Sequence, residues 1–241
     1  MQAHLQRIVH KCCVEDRGKL IIPAFAVDRT QELIYALDRL SSAGQLPRIP
    51  VYIDSPLAIK ATAIMKSNES YFNPEILEYI ERDGDAFAFP YLHYVSDVAE
   101  SKAINDRDEP CIIISASGMA EAGRVKHHIK NNIEKESTTI LFVGYAAPHT
   151  LAGQLKNGEK NVRIFGQEFE VKANIQSLES FSAHGDYNEM IDFLSCQDAS
   201  RVEQLFLVHG EYDTQLSFKL KLQREGFERI HIPSLHERVV V

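Results

Sequence analysis

The sequence predicts an α/β fold built on a mostly parallel, doubly wound sheet, and three observations carry that prediction. Four short runs are nearly continuous in apolar residues: Lys19 to Pro23, Val51 to Asp54, Cys111 to Ser115 and Thr139 to Val143. Strands covered by helices on both faces have this composition, whereas half-exposed strands alternate. The segments between the runs place apolar residues at helical spacing, so strand and helix alternate along the chain. A chain of 241 residues, 44% apolar, is long enough for one large core or two smaller ones.

Taken in order, Leu5, Ile8, Val9 and Cys12 share one face of an opening helix that Gly18 ends. After the first strand, Leu33, Ile34, Leu37 and Leu40 share a face, with Thr30 as the expected cap and Gly44 as the stop. The Ala-rich stretch Leu57 to Met65 is good helix material, and a further helix is expected over Met119 to Ile133. The last third changes character. Val162 to Phe165 and Phe169 to Ile175 flank Gly166-Gln167 as a hairpin would. A helix around Met190, Ile191 and Leu194 follows, then a strand from Gln204 to Val208 and a final strand near Ile230. Thr214 to Arg224 alternates like a strand, but its Lys and Gln content and the following Gly226 favour a helix.

Composition excludes several classes. No run of 18 apolar residues exists, so no membrane span is expected, and the first residues lack a signal-peptide pattern. A cytoplasmic protein is the expectation. Cys12 and Cys13 are adjacent, Cys111 and Cys196 stand in apolar stretches, and no C-x-x-C pair occurs, so buried thiols are expected. The net charge of −8 argues against a coat for nucleic acid, though not against a local basic cleft.

Two histidines share an ending: Ser182-Ala183-His184-Gly185-Asp186 and Leu207-Val208-His209-Gly210-Glu211. A histidine at the carboxyl end of a buried strand is placed like a ligand-binding residue, against the plainer alternative of a surface histidine in a Gly-acid turn. One imidazole can ligate zinc, and a second can protonate a leaving oxygen. Ser115-Ala116-Ser117-Gly118-Met119 runs from a strand end toward a helix, with Arg124 a turn later. It is a candidate phosphate cradle, although small residues after a strand are common. Asp54 is read as a cap for the helix that Pro56 begins. The remaining histidines, including His127, His128 and His149, are read as solvated.

Six blocks in order, IPAFAVDRTQELIYAL, VYIDSPLA, SASGMAEAGRVKHH, FVGYAAPHTLAG, SFSAHGD and LVHGE, resemble the β-CASP ribonucleases of the metallo-β-lactamase fold. The resemblance implies a β-CASP domain over residues 1–181. Residues 182–241 would then be the C-terminal segment of a metallo-β-lactamase αββα fold. It implies that His184 is the general acid, His209 a ligand of one of two zinc ions, and Ser182 and Ala183 holders of a substrate phosphate. Ser115, Ser117, Gly118 and Arg124 are implied to line the RNA groove. The family's H-x-H-x-D-H motif is absent. The expectation is therefore a fragment whose N-terminal metallo-β-lactamase half is missing, which does not hold zinc tightly and is inactive alone. The complete enzyme is expected to cleave single-stranded RNA. The alternative is a non-catalytic subunit that binds RNA or a partner, and a DNA substrate is the third reading.

Overall fold

A computed structural model describes residues 2–178 and 185–240. The chain divides into two units, Met1–Ser182 and Ala183–Val241.

In the first unit, α1 (Gln2–Val9) continues as a π-helical turn over His10–Glu15, then β1 (Lys19–Pro23), α2 (Arg29–Ser42), β2 (Val51–Ile53), α3 (Pro56–Lys66), α4 (Pro74–Asp83) and β3 (Leu92–Tyr94) follow. Next come α5 (Val98–Asp106), β4 (Cys111–Ser115), α6 (Arg124–Asn132), β5 (Thr139–Phe142), α7 (Leu151–Lys156), β6 (Asn161–Ile164), β7 (Gln167–Glu170) and β8 (Asn174–Ser177). Six strands form one sheet in the order β3-β2-β4-β1-β5-β8, and every pairing in it is parallel.

Strand pleating decides which core each residue joins. Leu20, Ile22, Ile112 and Ile114 pack with Leu5, Leu33, Leu37 and Tyr79 on one face, while Ile21, Ile113 and Ile140 pack with Ile104, Val125, Ile129 and Leu155 on the other. Helices α1, α2 and α4 thus cover one side of the sheet and α5, α6 and α7 the other. Each fully buried Leu or Ile stabilises by about 1.5–3 kcal/mol, so the two faces supply most of the drive to fold.

Several expectations are corrected. Gln167–Glu170 pairs antiparallel with Asn161–Ile164 around a two-residue turn at Phe165-Gly166. The expected second hairpin strand does not continue to Ile175, because the amides of Lys172 and Ala173 turn back to donate to the Ile133 carbonyl. The chain then re-enters the main sheet as β8, beside β5. Thr30 is not the cap of α2: Asp28 stands at that position with φ 71°, and the Thr30 hydroxyl donates to the Phe25 carbonyl at 2.7 Å. Strand β3 has only three residues, of which His93 and Tyr94 are exposed, so it carried no hydrophobic signal. Cys12, Cys13 and Cys111 are buried thiols, but Cys196 is exposed.

The second unit contains α8 (Tyr187–Leu194), β9 (Leu205–Phe206), α9 (Tyr212–Arg224) and β10 (Ile230–His231), with β9 and β10 paired in parallel. Its core is Leu222, Phe227 and Ile230, with Leu194, Leu205 and Phe218 against them. No described helix is long and apolar enough to cross a membrane.

Candidate functional site

Parallel register brings the carboxyl ends of β1, β2 and β4 together: Pro23 pairs with Ser115, and Ile53 with Ile114. Ligands of open α/β sheets bind at this end. Ser115 is buried, and its hydroxyl donates to the Asp54 carbonyl at 2.7 Å. Ser115 therefore ties β4 to β2 and faces no groove.

Beyond Ser115 the chain makes a cis peptide between Ala116 and Ser117 and closes a loop upon itself. The Ser117 amide donates to the Ala122 carbonyl, and the Ala120 amide donates to the Ser117 carbonyl. Gly123 has φ 78°, and a Cβ there would stand 2.3 Å from the Ala116 oxygen, so only glycine fits this closure. The helix begins at Arg124 rather than Met119. The expected cradle of helix-start amides at Ser115 to Met119 does not form. What the loop presents instead is Ser117 and Gly118, both half-buried, with Gly118 so close to Phe25 that a Cβ would lie 3.0 Å from its ring.

Behind the loop stands a group that sequence reasoning missed. Asp54 is not a cap, since Ser55 takes that place by accepting the Ala58 amide. The Asp54 carboxylate is fully buried and accepts from the Ser101 hydroxyl at 2.5 Å and from Arg124 Nη1 at 2.6 Å, and it meets His128 Nε2 at 2.7 Å. Burial pushes its pKa up, but the bonds from His128, Ser101 and Arg124 together outweigh that and hold it below the ordinary carboxylate range. His128 is 1% exposed, with its Nδ1 3.0 Å from Asn105 Oδ1, so it is not the solvated histidine expected. The signal was present: Val125, His128, Ile129 and Asn132 share one buried helix face, and a histidine there needs a partner. Arg124, expected to face a phosphate, is held by protein partners and also lines a cleft between α5 and α6. Its guanidinium is engaged by Asp54, the Val95 carbonyl at 3.2 Å and the Ser96 carbonyl at 2.7 Å. Arg124 thus anchors the base of the loop.

In the second unit β9 ends just before Leu207, and the chain turns through His209 (φ 66°) and Gly210 (φ 125°) into α9. His209 is exposed at this turn, and Gln215 Nε2 donates to the Leu207 carbonyl at 3.2 Å across it. A left-handed non-glycine residue is uncommon, although histidine is among the types enriched there. Ser182, Ala183 and His184 lie outside the described residues. Asp186, two positions beyond His184, closes a capping box with Glu189 at the start of α8. Zinc takes three or four donors from His, Cys or carboxylates. Among the described residues no three such side chains are close enough to hold a metal. Those residues by themselves therefore do not fit a zinc ion.

Residues 30–155 match the family model of the Beta-Casp domain, about half of the chain. The chain belongs to the β-CASP family. Residues 168–233 match a second family model, described as the Zn-dependent metallo-hydrolase RNA specificity domain. This β-CASP chain is 33% identical over 211 residues to Ribonuclease TTHA0252 of Thermus thermophilus, covering 88% of this chain and 47% of that protein. It is 32% identical over 209 residues to the RNase J-like protein of Methanocaldococcus jannaschii, covering 87% and 47%. To the transcription termination factor FttA of the same archaeon it is 31% identical over 239 residues, covering 96% and 37%. The chain thus spans less than half the length of these relatives.

Proposed function

We propose that this β-CASP chain is the RNA-gripping part of a metal-dependent ribonuclease that hydrolyses single-stranded RNA. The observation that carries the reading is the joint presence of a Beta-Casp domain and an RNA specificity domain in one chain whose relatives include a ribonuclease and an RNase J-like protein. In this reading residues 1–181 are the β-CASP domain and 182–241 the closing segment of a metallo-β-lactamase domain. The loop at Ser117 and Gly118 borders the RNA path, where backbone can approach a phosphate closely. Ser115 and Arg124 act from behind by fixing that loop to Asp54. His184 is the proton donor to the leaving oxygen, with Ser182 and Ala183 beside the phosphate.

His209 is proposed as one zinc ligand. Since the described residues do not fit a zinc ion, we place the other ligands of a two-zinc centre in a metallo-β-lactamase portion beyond this chain. No catalytic step is derived through the metal.

The test uses labelled single-stranded RNA and the pure 241-residue chain. The expected result is salt-dependent RNA binding without cleavage, with or without zinc. Chelator-sensitive cleavage by the chain alone would overturn the division of labour, and absence of RNA binding would overturn the reading itself. In a protein carrying both halves, His184→Ala is expected to lower turnover about 10²- to 10⁴-fold with metal content unchanged. His209→Ala should lower metal content.

A further inference from the structure

The hairpin β6–β7 turns on Phe165 and Gly166, with φ 50° and 78°. Both central residues are left-handed, the geometry of a type I′ turn that Asn-Gly suits and a bulky side chain does not. A phenylalanine is nonetheless placed there, and it is 50% exposed. Its ring lies 4.6 Å from the His127 ring, centroid to centroid, and Lys126 Nζ stands 5.4 Å from its centre. One turn along α6, Lys130 Nζ stands 5.9 Å from the centre of the Phe169 ring.

Helix α6, RVKHHIKNN, carries no acidic residue in a chain of net charge −8. On its other flank a cleft of ≈ 690 Å³ opens between α5 and α6, lined by Lys102, Arg124, His127 and Asn131, with Asp106 its acidic member. Among the described residues no ion pair is formed by Lys102, Lys126 or Lys130, although Lys126 Nζ donates to the Glu121 carbonyl at 3.2 Å. Basic side chains thus line both flanks of α6, Lys126 and Lys130 beside the hairpin rings and Lys102 across the cleft, with His127 between them.

We infer that this surface is a second, sequence-independent contact for single-stranded RNA, separate from the loop at Ser117 and Gly118. A base stacks on Phe165 and His127, and the flanking phosphates meet Lys126, Lys130 and Lys102. Every base has a π-face and every nucleotide a phosphate, so aromatic rings interleaved with lysines grip a strand without reading it. The inference rests on the chain being an RNA binder, and the experiment separates the two.

Fluorescence anisotropy of a labelled 12-mer of uridylate would be measured against the full chain and two variants. Phe165→Asn removes the ring but suits the left-handed turn, so its melting temperature should hold or rise while affinity falls about tenfold or more. Lys102→Gln/Lys126→Gln/Lys130→Gln should reduce the slope of log affinity against log salt by about 2. Affinity and slope unchanged in both variants, with the parent chain still binding, would overturn this surface and leave the proposed function standing. Failure of the parent chain to bind would overturn both. Binding of poly-glutamate but not the RNA, lost in the same variants, would overturn it in favour of a protein partner.

Discussion

Asp54 and Asp38 are both buried in the first unit, at 0% and 1% exposure, yet their surroundings treat the charge in opposite ways. Asp54 ends β2 and is met by His128, Ser101 and Arg124, which keep it ionised. Asp38 lies within α2, where neither carboxylate oxygen has a well-formed hydrogen bond among the described residues and the Tyr79 hydroxyl only partly offsets the burial. Burial, reinforced by Asp83 and Asp85, pushes its pKa up to about 7. A buried carboxylate stabilises only when donors replace the water it gave up. The first aspartate organises the carboxyl end of the sheet where the candidate RNA loop sits, and the second is a cost the fold carries elsewhere.

That contrast can be broken most forcefully at Asp54. Asp54→Ala leaves Arg124 and His128 facing a lost buried acceptor and is expected to cost about 3–5 kcal/mol, read as a lower midpoint in urea unfolding. A loss near zero would mean the network is dispensable. The pH dependence follows from the direction of the shift. A carboxyl held below its unfolded value of 3.8 contributes stability present above that pH and lost as pH falls through the folded pKa. The parent chain should therefore show an acid limb that Asp54→Ala lacks.

Asp38→Asn should do the reverse and stabilise. Unfolded chain releases the Asp38 proton near 3.8, whereas the folded chain retains it to about 7, so the parent loses stability as pH rises through that window. The gain from Asp38→Asn should be small near pH 4 and reach on the order of 4 kcal/mol at pH 8. Thermal unfolding at the two pH values decides it. An equal gain at both would show that charge is not the cause.

The smallest effect sharpens the comparison within the Asp54 group. Ser101→Ala removes one of several partners and is expected to cost about 1–2 kcal/mol. If it matched Asp54→Ala, the serine rather than the charge would hold the network.

The order of strands and helices was legible in the sequence because it depends on short-range pattern. Continuous apolar runs such as Cys111 to Ser115 had to be covered on both faces, and periodic segments such as Leu33 to Leu40 had to supply the cover. Where pattern was thin, reading failed: Leu92–Tyr94 has too few buried residues to announce a strand, and the break after Glu170 depends on a carbonyl of Ile133 distant in sequence. The segment after Ser115 does lie between a strand and a helix. Its shape was not legible, because closure depends on Gly123 packing against Ala116 and on Arg124 reaching Asp54, 70 positions away.

By itself, then, the sequence determined the α/β class, the buried strands and the motif blocks that mark the β-CASP family. Only the tertiary structure decided that Asp54 is a hub rather than a cap, that Arg124 and Ser115 bond to Asp54, and that Phe165 meets Lys126 while Phe169 meets Lys130. The physical reason is that hydrophobic periodicity is written in neighbouring residues, whereas a hydrogen bond to a buried charge is made by whichever donors the packed helices bring within 3 Å.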